Sequence, residues 1–218
     1  MGEEERYEEA RKRMVEYLRQ QGISGEVLEA MMRVKRHFFV PPERSDSAYG
    51  DYPLPIGEGQ TISAPHMVAI MCDYLELKKG DKVLEVGAGS GYHAAVIAEL
   101  IGEGGHLYTI ERIQWLVEFS TKNLKRAGYK NVTLTHGDGT LGVPEHAPYD
   151  KISVTCAAPD VPPPYIEQLK TGGKIVIPLG RYTQKLYLIE KKNGIEKNRK
   201  CDVVFVPLIG RYGFRQYE

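Results

Sequence analysis

Cysteine is scarce in this chain of 218 residues, which carries three: Cys72, Cys156 and Cys201. The number is odd and the spacings suit neither a metal-ligand pair nor a disulfide framework, so free thiols in a reducing compartment are expected. Net charge is lacking as well. The 29 Lys and Arg residues cancel 29 Asp and Glu residues, so no overall field draws the molecule to nucleic acid or to an anionic membrane. The short basic runs Arg11-Lys12-Arg13 and Lys191-Lys192 have acids nearby and read as solvated faces. No apolar run approaches the roughly 20 residues that would span a bilayer. The start, Met1-Gly2-Glu3-Glu4-Glu5-Arg6, is acidic where a secretory leader is basic and then apolar. Heptads and broad apolar stripes are missing too. The expectation is a cytoplasmic monomer with neither nucleic-acid nor membrane partners, folded as one well-buried domain with decorations.

Glycine, in contrast, is present in a pattern. In Val83-Leu84-Glu85-Val86-Gly87-Ala88-Gly89-Ser90-Gly91-Tyr92, a short apolar run that reads as a buried parallel strand leads through G-x-G-x-G to a helix over 94–100. Glycines at such a turn let the backbone approach a ligand and adopt dihedrals that other residues resist. A dinucleotide fingerprint, G-x-G-x-x-G, would need its third glycine where Tyr92 stands. Here that glycine comes one residue early, and Glu85 lies in the strand end. A carboxylate there repels a pyrophosphate and suits the ammonium of a methionine moiety. Gly87, Gly89, Gly91 and Glu85 therefore favour S-adenosyl-L-methionine (SAM) over NAD, while a glycine-rich turn by itself serves any nucleotide.

Two further strand ends carry acids. The run His106-Leu107-Tyr108-Thr109-Ile110 reads as the next strand and closes at Glu111, about 20 residues past the glycines, where a carboxylate commonly holds a ribose diol. Val132-Thr133-Leu134-Thr135 leads to His136-Gly137-Asp138-Gly139, which would set Asp138 beside an adenine amine. Either acid alone reads equally as a solvent-facing residue. The three strand ends in this order favour SAM.

The rest of the chain supports a doubly wound α/β fold, a Rossmann-like and mostly parallel sheet with helices on both faces. Tyr7, Ala10, Met14, Tyr17 and Leu18 recur at helical spacing. A second helix follows Ser24 as N-cap, with Val27, Leu28, Met31 and Met32 inward. Pro41-Pro42 stops any helix, and an irregular segment runs to Pro65, long enough to suggest a function. A helix over 66–77 then delivers the chain to the glycine turn. Later elements are expected as a helix at 115–126, strands at 132–135 and 151–156, a helix at 165–169 and a strand at 174–178. Strands at 185–191 and 201–208, joined through Lys192-Asn193-Gly194, read as a C-terminal antiparallel strand pair. The division is a single domain over 1–218, with an N-terminal helical cap and active-site loop over 1–65 and the Rossmann-like core over 66–218.

With these segments placed, Gly59-Gln60-Thr61-Ile62-Ser63-Ala64-Pro65-His66-Met67, upstream of the Glu-x-Gly-x-Gly-x-Gly-Tyr turn, resembles the protein-L-isoaspartate (D-aspartate) O-methyltransferases. Matches continue at His136-Gly137-Asp138-Gly139, Ala157-Ala158-Pro159, Gln168-Leu169-Lys170-Thr171-Gly172-Gly173-Lys174 and Phe205-Val206-Pro207-Leu208. The resemblance covers nearly the whole chain from about residue 4. It implies methyl transfer from SAM, leaving S-adenosyl-L-homocysteine, to the free α-carboxylate of L-isoaspartyl residues, with D-aspartyl residues as a second acceptor, in damaged, unfolded or flexible segments. The methyl ester re-forms the succinimide, so the implied role is protein repair without a metal.

The resemblance also assigns residues. Ser63 becomes the active-site serine, donating to the substrate carboxylate; taken alone it reads as the cap of the following helix. No G-x-S-x-G turn surrounds it, so it is not a hydrolase nucleophile. Gln60, Thr61 and Ile62 line the junction of cofactor and substrate, with Glu85, Gly87, Gly89, Gly91, Glu111, Asp138 and Gly139 around the cofactor. His66 either touches the cofactor carboxylate or fixes the loop, and Asp51 orients Ser63 or nearby amides. Val206 and Leu208, within 206–211, form a peptide-binding wall with Ile62 and Ser63. The alternative is a SAM-dependent enzyme acting on a small-molecule carboxylate or hydroxyl. A metal-dependent version would need acids where Thr155-Cys156-Ala157-Ala158 stands. Amino-group methylation of nucleic acid would need a D/N-P-P-Y segment. Cys156 follows Thr155 rather than Pro, so it reads as a small buried residue and not as a nucleophile. A non-catalytic SAM-binding scaffold is the remaining class.

Overall fold

Strand and helix alternate through the computed structural model, which describes residues 2–215; Met1 and residues 216–218, the ends of the expected 1–218 domain, lie outside them. The chain runs α1 (Glu3–Gln20), α2 (Gly25–Arg33), 3-10 turns at Arg36–Phe39 and Pro42–Ser47, β1 (Leu54–Gly57), β2 (Gln60–Ile62) and α3 (Pro65–Leu75). It continues through β3 (Lys82–Val86), α4 (Tyr92–Ile101), β4 (His106–Glu111), α5 (Gln114–Ala127) and β5 (Val132–His136). The last elements are β6 (Tyr149–Val154), α6 (Pro163–Gln168), β7 (Leu169–Leu179), β8 (Gln184–Lys191) and β9 (Ile195–Val203).

Seven strands form one sheet in the order β5-β4-β3-β6-β7-β8-β9. The first five pair in parallel, while β8 and β9 add antiparallel. From β3 the chain winds outward to β4 and β5, then crosses to β6 on the other side. The strand order therefore reverses between β3 and β6, and in open α/β sheets ligands bind at the carboxyl ends of strands flanking such a point.

Strand alternation decides what each face buries. Val83 joins the apolar cluster made with α1 through α5, whereas Leu84 and Val86 join the opposite cluster with Tyr149, Tyr165 and Ile175. Burial on both faces explains why β3 reads as a continuous apolar run. The same alternation turns Glu85 toward the helices, beside Cys72 of α3 and His93 of α4.

Several expectations change. The segment 41–65 is not irregular: Pro42 opens a 3-10 turn, and β1 and β2 form a hairpin with Leu54 opposite Ile62. The helix expected at 66–77 begins at Pro65 and ends at Leu75, where Glu76 adopts a left-handed conformation at φ 50°. Ser24 precedes α2 in extended conformation but makes no side-chain cap bond, and Tyr17 faces solvent. The helix at 165–169 is shifted to Pro163–Gln168, and β7 begins directly at Leu169. The last strand spans Ile195–Val203 instead of 201–208. Its polar, exposed side chains carry no apolar alternation, while the apolar stretch that suggested a strand enters the site, with Pro207 bridged to Ala157.

Candidate active site

A cavity of about 930 Å³, including its open mouth, lies at the carboxyl ends of β3, β4 and β6. Its walls come from β2 and Ser63, from the glycine turn with Tyr92 and His93, from Glu111 and Arg112, from Gly139, from Thr155 and Cys156, and from 206–209. Ten of the expected residues line it: Gln60, Thr61, Ile62, Ser63, Gly87, Gly89, Glu111, Gly139, Val206 and Leu208. His66, Glu85, Gly91 and Asp138 do not.

Glycine serves two needs in the turn. Gly87 holds φ 95°, and a Cβ there would run into the Thr155 hydroxyl. Gly91 caps α4 at φ 85°, and a Cβ there would sit 3.1 Å from Leu124. Gly91 therefore serves helix packing behind the cavity.

Glu111 ends β4 with its carboxylate fixed by three backbone donors. Its Oε2 accepts from Gly89 at 3.0 Å, and its Oε1 accepts from Arg112 and Ile113 at 2.8 and 2.9 Å. One bond ties the strand end to the glycine turn; the others start the path into α5. The pre-oriented carboxylate faces the cavity with lone pairs left to accept from a ligand hydroxyl.

Glu85 sits one layer deeper. It is fully buried, its Oε2 accepts from the Thr109 hydroxyl at 2.6 Å, and its Oε1 has no hydrogen-bond partner. Burial, with a smaller push from Glu111, raises its carboxyl to about 8 despite the Thr109 bond. His93 Nδ1 lies 3.8 Å from Oε1, and His93 Nε2 lies 3.4 Å from the Cys72 sulfur. Burial pulls His93 down to about 4, so it faces the cavity neutral at pH 7.

Asp138 is engaged behind the adjoining wall. Its Oδ1 accepts from the Thr140 amide and hydroxyl at 2.9 and 2.7 Å, and its Oδ2 accepts from the Arg211 amide at 2.8 Å. It thereby ties Gly139, which lines the cavity, to the C-terminal segment. His66 lies in the first turn of α3, where its amide and Nδ1 meet Asp51 at 2.9 and 3.0 Å. Asp51 thus holds the start of α3 and not Ser63 itself.

Ser63 is not the helix cap. That position belongs to Ala64, with no side-chain cap bond, and Ser63 stands half-buried at the cavity wall. Its carbonyl accepts from Arg36 Nη2 at 2.8 Å.

Sequence reasoning passed over Tyr92, His93, Arg112, Thr155 and the site position of Cys156. The first pair occupies the opening turn of the helix after the glycines, and Thr155-Cys156 follows β6 at the switch point; chain position was the available signal. The Cys156 thiol is pushed well up by burial, which removes the thiolate a nucleophile requires. Among the described residues no group of three His, Cys, Asp or Glu is arranged to hold a metal.

The sequence profile of the protein-L-isoaspartate(D-aspartate) O-methyltransferases (PCMT) matches residues 9–213. The chain belongs to this family. A protein-L-isoaspartate O-methyltransferase of Methanothrix thermoacetophila is 58% identical over 205 residues, covering 94% of this chain and 97% of that protein. One of Hyperthermus butylicus is 57% identical over 229 aligned residues, covering 99% and 95%. A Plasmodium falciparum crystal structure, described as an isoaspartate methyltransferase (PCMT) in complex with S-adenosyl-L-homocysteine, superposes with a TM-score of 0.83 at 34% identity, covering 91% of this chain and 98% of that one. In this member the hairpin that carries Gln60–Ile62 sets those residues on the cavity wall at the strand ends of the sheet.

Proposed function

We propose that this protein repairs damaged proteins by moving a methyl group from SAM to the free α-carboxylate of L-isoaspartyl residues. The observation that carries this reading is the placement of the family segment 60–63 on the wall of the cavity formed by the glycine turn. D-aspartyl acceptors belong to the same proposal, because the family description includes them.

The residues present fit the cofactor. Glu111 presents a fixed carboxylate for the ribose diol, Gly87 and Gly89 keep the turn free of side chains, and Gly139 does so on the adenine side. Glu85 has an unpartnered oxygen beneath the floor and favours an ammonium above it. Asp138 holds the adenine wall, and Gly91 and His66 support the turn and the start of α3. Bound there, SAM supplies an electrophilic methyl on a sulfonium, leaving S-adenosyl-L-homocysteine as product.

The acceptor needs no general base, since a carboxylate is already ionised near neutral pH. The work left to the chain is alignment and exclusion of water, which contributes several kcal/mol and up to roughly 7–11 in the best cases. Ser63 donates to the acceptor carboxylate and fixes which oxygen faces the methyl group. Ile62, Val206 and Leu208 supply the dry wall against which the peptide lies. Neither a metal nor a cysteine nucleophile is required.

The remaining expectations belong to this reading: a cytoplasmic monomer acting on flexible segments, with neither nucleic acid nor membrane as partner. The balanced charge supports it, and no helix among the described residues is long and apolar enough to cross a membrane. One domain over 1–218, with a cap over 1–65, is supported by the apolar cluster that joins α1 and α2 to α3, α4 and the sheet. The test is acceptor class. Kinetics with an isoaspartyl peptide, free dicarboxylic acids and catechol-like hydroxyls should show turnover on the peptide; turnover on a small acid or hydroxyl instead would replace this reading with the small-molecule alternative.

A further inference from the structure

Arg36 is the largest fully buried side chain among the described residues, at 0% exposure. It lies in the 3-10 turn Arg36–Phe39, well before the segments that carry the family motifs. Its hydrogen bonds go to backbone: Nε donates to the Ala48 carbonyl at 2.7 Å and Nη2 to the Ser63 carbonyl at 2.8 Å. Its guanidinium lies 4.6 Å from the ring centroid of Tyr92, a residue of the cavity lining. Neither Nη1 of Arg36 nor the Tyr92 hydroxyl has a hydrogen-bond partner. Burial works against the charged form; the neighbouring Tyr92 hydroxyl is the first group that opposes that cost, and the field of Asp51 comes after it. Asp51 is itself committed to the amide and ring of His66.

A cation buried without an adjacent carboxylate is unfavourable, and a guanidinium does not escape by losing its proton. Two carbonyls and an aromatic face satisfy its donors only in part. The setting supplies a reason to keep the charge. If the proposed reaction is right, an ionised carboxylate must come to rest at Ser63 in a site whose wall already carries the carboxylate of Glu111. His93, the basic group beside Glu85, is held neutral by burial. Arg112, which also lines the cavity, is solvent-exposed, so water screens its charge more than that of a buried group.

We propose that Arg36 is a positioning residue for the acceptor: it holds the Ser63 backbone in place and sets an unneutralised positive charge behind it, so that the site selects an ionised carboxylate. Charge in a dry interior acts over several ångströms, so Arg36 has no need to touch the substrate. The guanidinium fork makes the role specific, because two divergent carbonyls are bound at once. Lysine would keep the charge but not both bonds.

The inference rests on the repair reading, and the experiment separates the two. Affinity is measured, with S-adenosyl-L-homocysteine saturating, for an isoaspartyl peptide and for the same peptide bearing an α-carboxamide. The wild type should prefer the carboxylate by about tenfold or more. Arg36→Met should lose most of that preference while its affinity for S-adenosyl-L-homocysteine stays within about threefold; Arg36→Lys should retain part of the preference. An unchanged preference in Arg36→Met, or parallel loss of both peptides and S-adenosyl-L-homocysteine, would overturn the proposal. The wild-type comparison needs no variant to fold: equal binding of carboxylate and carboxamide would also overturn it. Methyl transfer by the wild type to the isoaspartyl peptide is the separate check, whose failure would strike the repair reading itself.

Discussion

Replacing Glu85 with Gln should stabilise the cofactor-free protein at high pH and leave it unchanged in acid. The unfolded chain releases this proton near 4.5, while the native chain holds it to about 8 because the carboxyl is fully buried. Between those values the native state carries the extra proton, so stability present below 4.5 is lost as pH rises through about 8. Each pH unit in that interval costs about 1.4 kcal/mol, so the whole interval costs on the order of 5 kcal/mol. Gln retains an acceptor for the Thr109 hydroxyl and cannot ionise. Urea unfolding at pH 5, 7 and 9 should give stabilities within about 1 kcal/mol of each other at pH 5 and a gap of several kcal/mol favouring the variant at pH 9. In thermal melts that is roughly 10 °C for a chain of this size. Saturating S-adenosyl-L-homocysteine, whose ammonium offers a counter-charge, should narrow the gap. Parallel curves for the two proteins across the range would refute the reasoning, because they would mean that Glu85 ionises in the native state without penalty.

Ser63→Ala should lower kcat by about 10²–10³ if its hydroxyl steadies the reacting carboxylate, with S-adenosyl-L-homocysteine affinity by calorimetry kept within about threefold; equal losses in both would point to a merely local distortion. Glu111→Ala removes the acceptor of three amides and of the proposed ribose diol, so cofactor affinity should fall by about 10–100-fold. His93→Gln should flatten the acid limb of stability. The native imidazole resists protonation down to about 4, so its contribution to stability is complete above the ordinary value near 6.5 and is lost as pH falls through about 4; a stability difference between wild type and variant that is the same at pH 4.5 and 7 would contradict this. Leu84→Ala, at a fully buried position of the interior strand β3, should cost about 2–5 kcal/mol in urea unfolding.

The elements most legible in the sequence are those whose side chains alone reveal burial. The apolar run before Gly87 and the left-handed stop at Gly128 after α5 both follow from local chemistry. The hairpin of β1 and β2 was hidden because its strands have four and three residues, too few to show a period, with prolines and glycines around them. The edge strand β9 is hidden by its polarity, and the apolar stretch after it reads as a strand because cavity walls and strands draw on the same residues. At the site, Glu111 and the glycines were placed by motif spacing. Glu85 was expected at the cavity surface; strand alternation turns it inward. The link from Arg36 to Ser63 spans 27 residues of chain, and no local pattern announces a contact of that kind.

The most direct test of the account is transfer of a labelled methyl group from SAM to two synthetic peptides, identical except that one contains L-isoaspartate and the other normal aspartate. The account predicts base-labile label on the isoaspartyl peptide alone, and its loss with Ser63→Ala. Binding of SAM without labelling of either peptide, or equal labelling of both, would contradict it.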